Sequence, residues 1–290
     1  MTDTNNIKTL ADRAMLAKLT RSRIRTSFRD KDLETTVRAT SGDDSITVHK
    51  HLFRDKNNPV RALLRKADEV YRVHKDATLP WVDAGPRLLR SDRYFDYMQD
   101  MRTAIAAVDA DKPAVINNWN QLVQDDIASR GGAACIDDYP TREQADTMFG
   151  FDVQVYPLPD TRDFRIDVGD EAREALQAAL QDAEARARAE VVRRMMDPIS
   201  KAVEKLSVPI GEQGHIFRDS LIENLKASIA QAREINVSDD PELAETIDTI
   251  DREIANSTVV NKEALRTQQG ARDEAKAKLD DILGRLGQLG

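Results

Sequence analysis

The 290-residue chain holds a single cysteine, 12 glycines, 10 prolines and only 5% aromatic residues. Each scarcity excludes something. With Cys135 alone, neither an intramolecular disulfide nor a cysteine-based zinc cluster can be built. So few aromatics and turn-formers argue against an all-β barrel or a large aromatic core. No run approaches the ~20 apolar residues that a membrane-crossing helix needs, and the opening MTDTNNIKTLADRAM lacks the basic segment and apolar stretch of a secretory signal. A cytoplasmic protein with no membrane partner is expected. Also missing are the phosphate-cradling G-x-x-x-x-G-K-[ST], the dinucleotide G-x-G-x-x-G, the nucleophile elbow G-x-S-x-G and the zinc helix H-E-x-x-H. The chain is thus not expected to be a P-loop ATPase, and no cofactor is expected.

What remains is charge and helix-forming sequence. Charged residues make up 32% and the net charge is −8. That charge is uneven along the chain: residues 1–90 hold 19 Lys+Arg against 12 Asp+Glu, a net +7, and the other 200 hold 24 against 39, a net −15. A basic front and an acidic rear suggest surfaces with different partners, or charge-guided self-assembly.

Strands are expected near 15–28, 46–53, 151–157 and 162–168, where apolar and polar residues alternate. In the first of these, Arg21, Arg23, Arg25 and Arg29 share one face. Asn58-Pro59 opens a helix whose Val60, Leu63, Leu64, Ala67, Val70, Tyr71 and His74 form one buried stripe, and which must end before Pro80. The block TLPWVDAGPRLL reads as an irregular connector. A helix follows Ser91, and Pro113 opens another. Beyond Gly169 everything is helical. Asp197-Pro198 marks a kink or a fresh start, a helix covers 218–235, Ser238-Asp239-Asp240-Pro241 caps the next, and a last helix runs from Thr258 to Leu286. The fold expected is α+β and predominantly α-helical: a small, partly antiparallel sheet with flanking helices, then a C-terminal antiparallel bundle or coiled-coil hairpin. The natural division is 1–168 and 169–290, the two not necessarily independent. Coiled-coil seams would use Leu176, Leu180, Val191, Leu279, Ile282 and Leu286.

Three chemistries suggest themselves. Arg21, Arg23, Arg25 and Arg29 at period two could present forked donors to the phosphates of DNA or RNA, although few aromatics interleave them for base stacking. His49 and His51, at i and i+2 on a strand, could ligate a metal for hydrolysis with Asp43, Asp44 or His74 as a third ligand, or simply flank Lys50 on a half-exposed sheet face. Cys135 has no histidine near it in sequence to serve as a base and reads as a small buried residue. Trp81 and Trp119 are expected to be buried, with their N–H groups on backbone carbonyls.

Four segments, TLPWVDAGPRLL (78–89), YPLPDTRDFRIDV (156–168), HIFRDSLIENL (215–225) and INVSDDPEL (235–243), occur in an order and at spacings that resemble a phage and prophage family catalogued as a domain of unknown function. The resemblance runs from about residue 14 to 286. Members of that family are encoded beside MoxR-type AAA+ ATPases and von Willebrand factor A domain proteins of the kind seen in metal-chelatase subunits. What the resemblance implies is a non-enzymatic accessory protein of a phage-encoded ATPase module in a bacterial host, acting as an oligomerising scaffold or adaptor. It brings no active site. It marks Leu79, Pro80, Trp81, Gly85, Arg87, Asp163, Phe164, Arg165, Phe217, Arg218, Asp219, Glu223 and Asn224, in structural or partner-binding roles.

Overall fold

The computed structural model describes residues 9–81, 85–131, 134–160, 170–213, 218–238 and 240–289. The expected strand at 162–168, and with it Asp163, Phe164 and Arg165, lies outside them, as does Phe217. In chain order the elements are α1 (Leu10–Arg13), β1 (Ala14–Arg21), β2 (Ser27–Arg29), α2 (Lys31–Ser41), β3 (His49–His51), α3 (Pro59–Ala77), β4 (Leu79–Pro80) and β5 (Arg87–Arg90). There follow α4 (Tyr94–Asn117), α5 (Trp119–Ala128), α6 (Arg142–Thr147), β6 (Phe151–Pro157), α7 (Asp170–Leu206), α8 (Asp219–Ile235), α9 (Pro241–Ala255), α10 (Lys262–Thr267) and α11 (Gln269–Leu289). The protein is α+β and predominantly helical. One sheet has the order β4-β5-β1-β6, and β2 and β3 form a separate two-stranded ribbon. The described pairings, β1 with β5, β4 with β5 and β2 with β3, are all antiparallel.

Several boundaries follow from side chains visible in the sequence. Asn58 Oδ1 accepts the N–H of Val60 at 2.9 Å, starting α3 at Pro59. Asp30 caps α2 through Leu33, and Gly42 closes it at φ 70, a left-handed position that suits glycine. Asp240 caps α9, with Pro241 at its first turn.

Other expectations are corrected. The single strand near 15–28 is two strands in different sheets. The ladder breaks after Arg21, where Ser22 instead exchanges backbone hydrogen bonds with Gly150 and Phe149. The connector around Trp81 contributes β4 and β5, since Leu79, Leu88 and Leu89 are fully buried and their backbone needs partners. Pro113 and Pro198 lie inside continuous helices, α4 and α7. A proline costs a helix one hydrogen bond, roughly 3 kcal/mol with its steric clash. Here the flanking turns are well buried: Val108, Val115 and Ile116 around the first, Met195, Ile199 and Ala202 around the second. The last expected helix is divided, because Asn261 caps α10 and Gln268 is extended.

By its contacts the chain groups into two compact units that do not follow the linear division at residue 168. Unit 1 is 1–18, 75–97 and 154–290; unit 2 is 19–74 and 98–153. Unit 1 is organised on α7, against which α8, α11 and β4 pack, with α9 on α8. Its core includes Val191, Met195, Ile199, Leu225, Ile229, Ile250, Leu279, Ile282 and Leu286. Unit 2 buries Ile24, Leu52, Phe53, Val60, Leu63, Val70, Met101, Trp119 and Phe149. Sorting the charges by unit removes the basic front. Unit 2 holds 17 Lys+Arg against 18 Asp+Glu, a net −1, which leaves −7 for unit 1. The basic segment 19–74 shares unit 2 with the acidic 98–153, and the two are joined by ion pairs such as Lys50–Asp138 and Lys66–Asp111.

Candidate functional site

The β2–β3 ribbon of unit 2 gathers most of the chemistry read from the sequence. Its register pairs Ser27 with His51, Phe28 with Lys50 and Arg29 with His49. Alternation puts Lys50 on one face, where its ammonium sits 3.2 Å from Asp30, 3.0 Å from Asp138 and 5.8 Å from the centre of the Phe28 ring. Its pKa is raised, chiefly by the hydrogen bond to Asp138. The other face carries Ser27, Arg29, His49 and His51. His49 and His51 are exposed, as sequence alternation suggests for residues flanking Lys50.

The four arginines proposed for phosphate binding have different fates. Arg23 meets Asp68 at 2.9 Å; Arg21 lies 3.7 Å from the same carboxylate and stacks 4.1 Å from the centre of the Tyr71 ring. Arg29 is bidentate to Glu34, at 2.6 and 2.5 Å. Glu34 is buried, receives Arg38 at 2.8 Å as well, and is held at a pKa of about 2, above all by the Arg29 hydrogen bonds. Arg25 is exposed and makes no ion pair among the described residues. Three of the four are therefore neutralised within the ribbon's own unit.

Beside the histidine face lies an open groove of about 750 Å³, lined among others by Leu33, His49, His51, Arg54, Ser129 and Arg130. Arg54 and Arg130 were not singled out in the sequence. Behind Arg130 is a buried polar cluster on α5. Asp126 Oδ2 accepts the backbone N–H of Phe53 at 2.8 Å and the Tyr139 hydroxyl at 2.5 Å, and lies 3.2 Å from Arg130 Nε. Burial, then the bond to Asp126, raises the Tyr139 pKa. Phe53 sits at φ 49, a left-handed conformation that a bulky residue rarely adopts. Its ring lies 5.4 Å from Trp119 and 5.3 Å from Tyr139, so packing and the Asp126 bond fix it together. The i,i+4 spacing of Asp126 and Arg130 was the one sequence signal for this cluster.

The described residues marked by the family resemblance fall in unit 1. Arg87 donates to Thr78 Oγ1 at 2.7 Å and to Thr78 O at 3.0 Å. Arg194 donates to the carbonyls of Lys75, Asp76 and Thr78, and Gln231 to that of Asp76, so side chains satisfy the orphan carbonyls at the end of α3. Trp81 packs half-buried on the unit 1 core. Arg218 is exposed as the residue preceding α8, Asp219 pairs with Arg266, and Asn224 is exposed on α8. Trp119 is buried and donates Nε1–H to Pro140 O at 2.9 Å.

The remaining candidates are dispersed. Asp43 is tied to Ser45 in its turn, and His74 is buried on α3. Among the described residues no three His, Cys, Asp or Glu side chains come together as a metal site. Cys135 is exposed rather than buried, with its backbone N–H on Asp138. Among the described residues no helix is long and apolar enough to cross a membrane. Compared with family models, with curated proteins and with solved structures, the chain gives no match.

Proposed function

We propose that this protein is a non-enzymatic accessory component that self-associates and serves as a scaffold or adaptor. The observation that carries the reading is the beginning of α7. Thirty-seven residues at 1.5 Å each make that helix about 55 Å long. From Ala183 onward it buries Ala183, Ala187, Val191, Val192, Met195, Ile199, Ala202 and Leu206. Before Ala183 no described side chain of the helix is buried, yet Leu176 and Leu180 continue the apolar stripe, each half-exposed. Of the six positions offered for a coiled-coil seam, Val191, Leu279, Ile282 and Leu286 are fully used inside unit 1. Leu176 and Leu180 are the two that keep exposed surface, although Leu180 also packs in part on the unit 1 core.

A second copy of the same stretch is the occupant assigned to this surface: in an antiparallel pair centred between the two leucines, Leu176 of one copy would meet Leu180 of the other. A wider role, as an adaptor for an AAA+ ATPase and a von Willebrand factor A domain protein in the cytoplasm of a phage-bearing bacterium, rests on the motif resemblance. The nucleic-acid alternative would draw on Arg25 alone among its four arginines, the others being paired. Sedimentation velocity on the full chain, followed by co-expression with such an ATPase and recovery on an affinity tag, tests the reading. Concentration-dependent assembly that Leu176→Glu with Leu180→Glu abolishes is the expected result.

A further inference from the structure

In unit 2 several cations of the basic segment are held by carboxylates: Arg21 and Arg23 at Asp68, Arg29 and Arg38 at Glu34, Lys50 at Asp30 and Asp138, Lys66 at Asp111. The groove beside the ribbon gathers side chains of another kind. His49, His51 and Arg54 line it, are exposed, and their side chains make no hydrogen bond or ion pair among the described residues. His49 and His51 share a strand face about 7 Å apart, two residues at the usual strand rise. Arg130, which also lines the groove, is mostly buried: its Nε and Nη2 are closed off from solvent and lack any hydrogen bond, while Nε stays 3.2 Å from Asp126. Among the described residues Asp55 is the one carboxylate lining the groove, and its Oδ1 already accepts the N–H of Asn57 at 2.9 Å.

We propose that this groove binds a compact phosphate-bearing anion, with His49, His51, Arg54 and Arg130 as its donors. Two imidazoles and two guanidiniums offer many N–H groups and little acceptor capacity, which matches a ligand made of acceptor oxygens. The planar fork of arginine suits a phosphoryl group in particular. A volume of about 750 Å³ exceeds one phosphate and accommodates a diphosphate or a phosphate with its organic substituent. A polynucleotide fits less well. It calls for a track of cations along its backbone, and the neighbouring arginines that would extend the track, Arg21, Arg23 and Arg29, are held by carboxylates.

The test is a titration of the full chain with inorganic pyrophosphate, followed by amide chemical shifts, with sodium chloride at matched ionic strength as the control. Saturable shifts confined to residues 48–55 and 129–130 are expected. Arg54→Ala together with His51→Ala should weaken the affinity about tenfold or more. Both side chains are exposed, so the variant should keep the wild-type melting curve. Arg54→Glu, which reverses the charge without removing surface, should abolish binding. A response equal to that of sodium chloride, or an affinity unchanged in both variants, would overturn the site. A single-stranded oligonucleotide that bound about tenfold tighter than pyrophosphate through the same residues would overturn the compact-ligand assignment in favour of a polynucleotide.

Discussion

The Asp126 carboxylate holds the backbone N–H of Phe53 at 2.8 Å, and Phe53 is a buried aromatic in the left-handed region at φ 49. One oxygen of Asp126 also receives the Tyr139 hydroxyl and faces Arg130 Nε. The cluster joins the chain after β3 to α5 and to the segment before α6. Of its members, Arg130 lines the groove.

Removing Asp126 should therefore be costly. Asp126→Ala leaves a buried N–H and a buried hydroxyl without their acceptor and the Arg130 guanidinium without its counter-charge, and is expected to destabilise unit 2 by about 3–5 kcal/mol. Tyr139→Phe removes one donor and should cost about 1–2 kcal/mol. Urea unfolding followed by Trp119 fluorescence measures both. Equal, small effects from the two substitutions would mean that Asp126 is not the hub.

The end of α3 depends on a residue more than a hundred positions away. Arg194 donates to three carbonyls there and is itself hydrogen-bonded to Glu190 at 2.9 Å. Arg194→Met, which keeps much of the side-chain volume, is expected to cost about 2–3 kcal/mol and to speed amide exchange over residues 75–80. Exchange rates unchanged in that segment would remove Arg194 as its clamp.

Acid should unfold the protein over a defined range. The Arg29 hydrogen bonds hold Glu34 at about 2. At Glu190 burial pushes the pKa upward, but the hydrogen bonds of Arg193 and Arg194 override it and give about 2 as well. Both values lie below the ordinary 4.5, so each group stabilises the folded state fully above about pH 4.5. That contribution is lost as the pH falls from 4.5 toward 2. Melting temperature should be nearly flat from pH 7 to 5 and fall steeply below, with a shallower fall in Glu190→Gln. A variant curve parallel to wild type throughout would contradict the assignment to Glu190.

Helices in both parts of the chain were legible in the sequence because their stripes recur at helical spacing and their caps are local: Asp240-Pro241 in the rear and Asn58-Pro59 in the front both start helices where the sequence placed them. Pro113 misled because a proline's penalty is local, whereas the burial that offsets it around Val115 and Ile116 is tertiary; at Pro198 the fresh start is ruled out by the continuous α7. The arginine run misled for a related reason. Period two suggested one continuous strand, but Ser22 turns to Gly150, and Asp68 and Glu34, remote or off-register in sequence, take up the charge. Of the candidate groove, His49 and His51 were visible as a pair. Arg54 and Arg130 were not, since only folding brings the end of α5 beside β3.

The most direct test of the central claim is the mass of the full chain in solution by sedimentation velocity across a concentration series. The account predicts a species of at least twice the 32.5 kDa chain, and its reduction to a folded monomer by Leu176→Glu with Leu180→Glu. A wild-type protein that stays monomeric at every concentration, or a variant that assembles as wild type does, would contradict it.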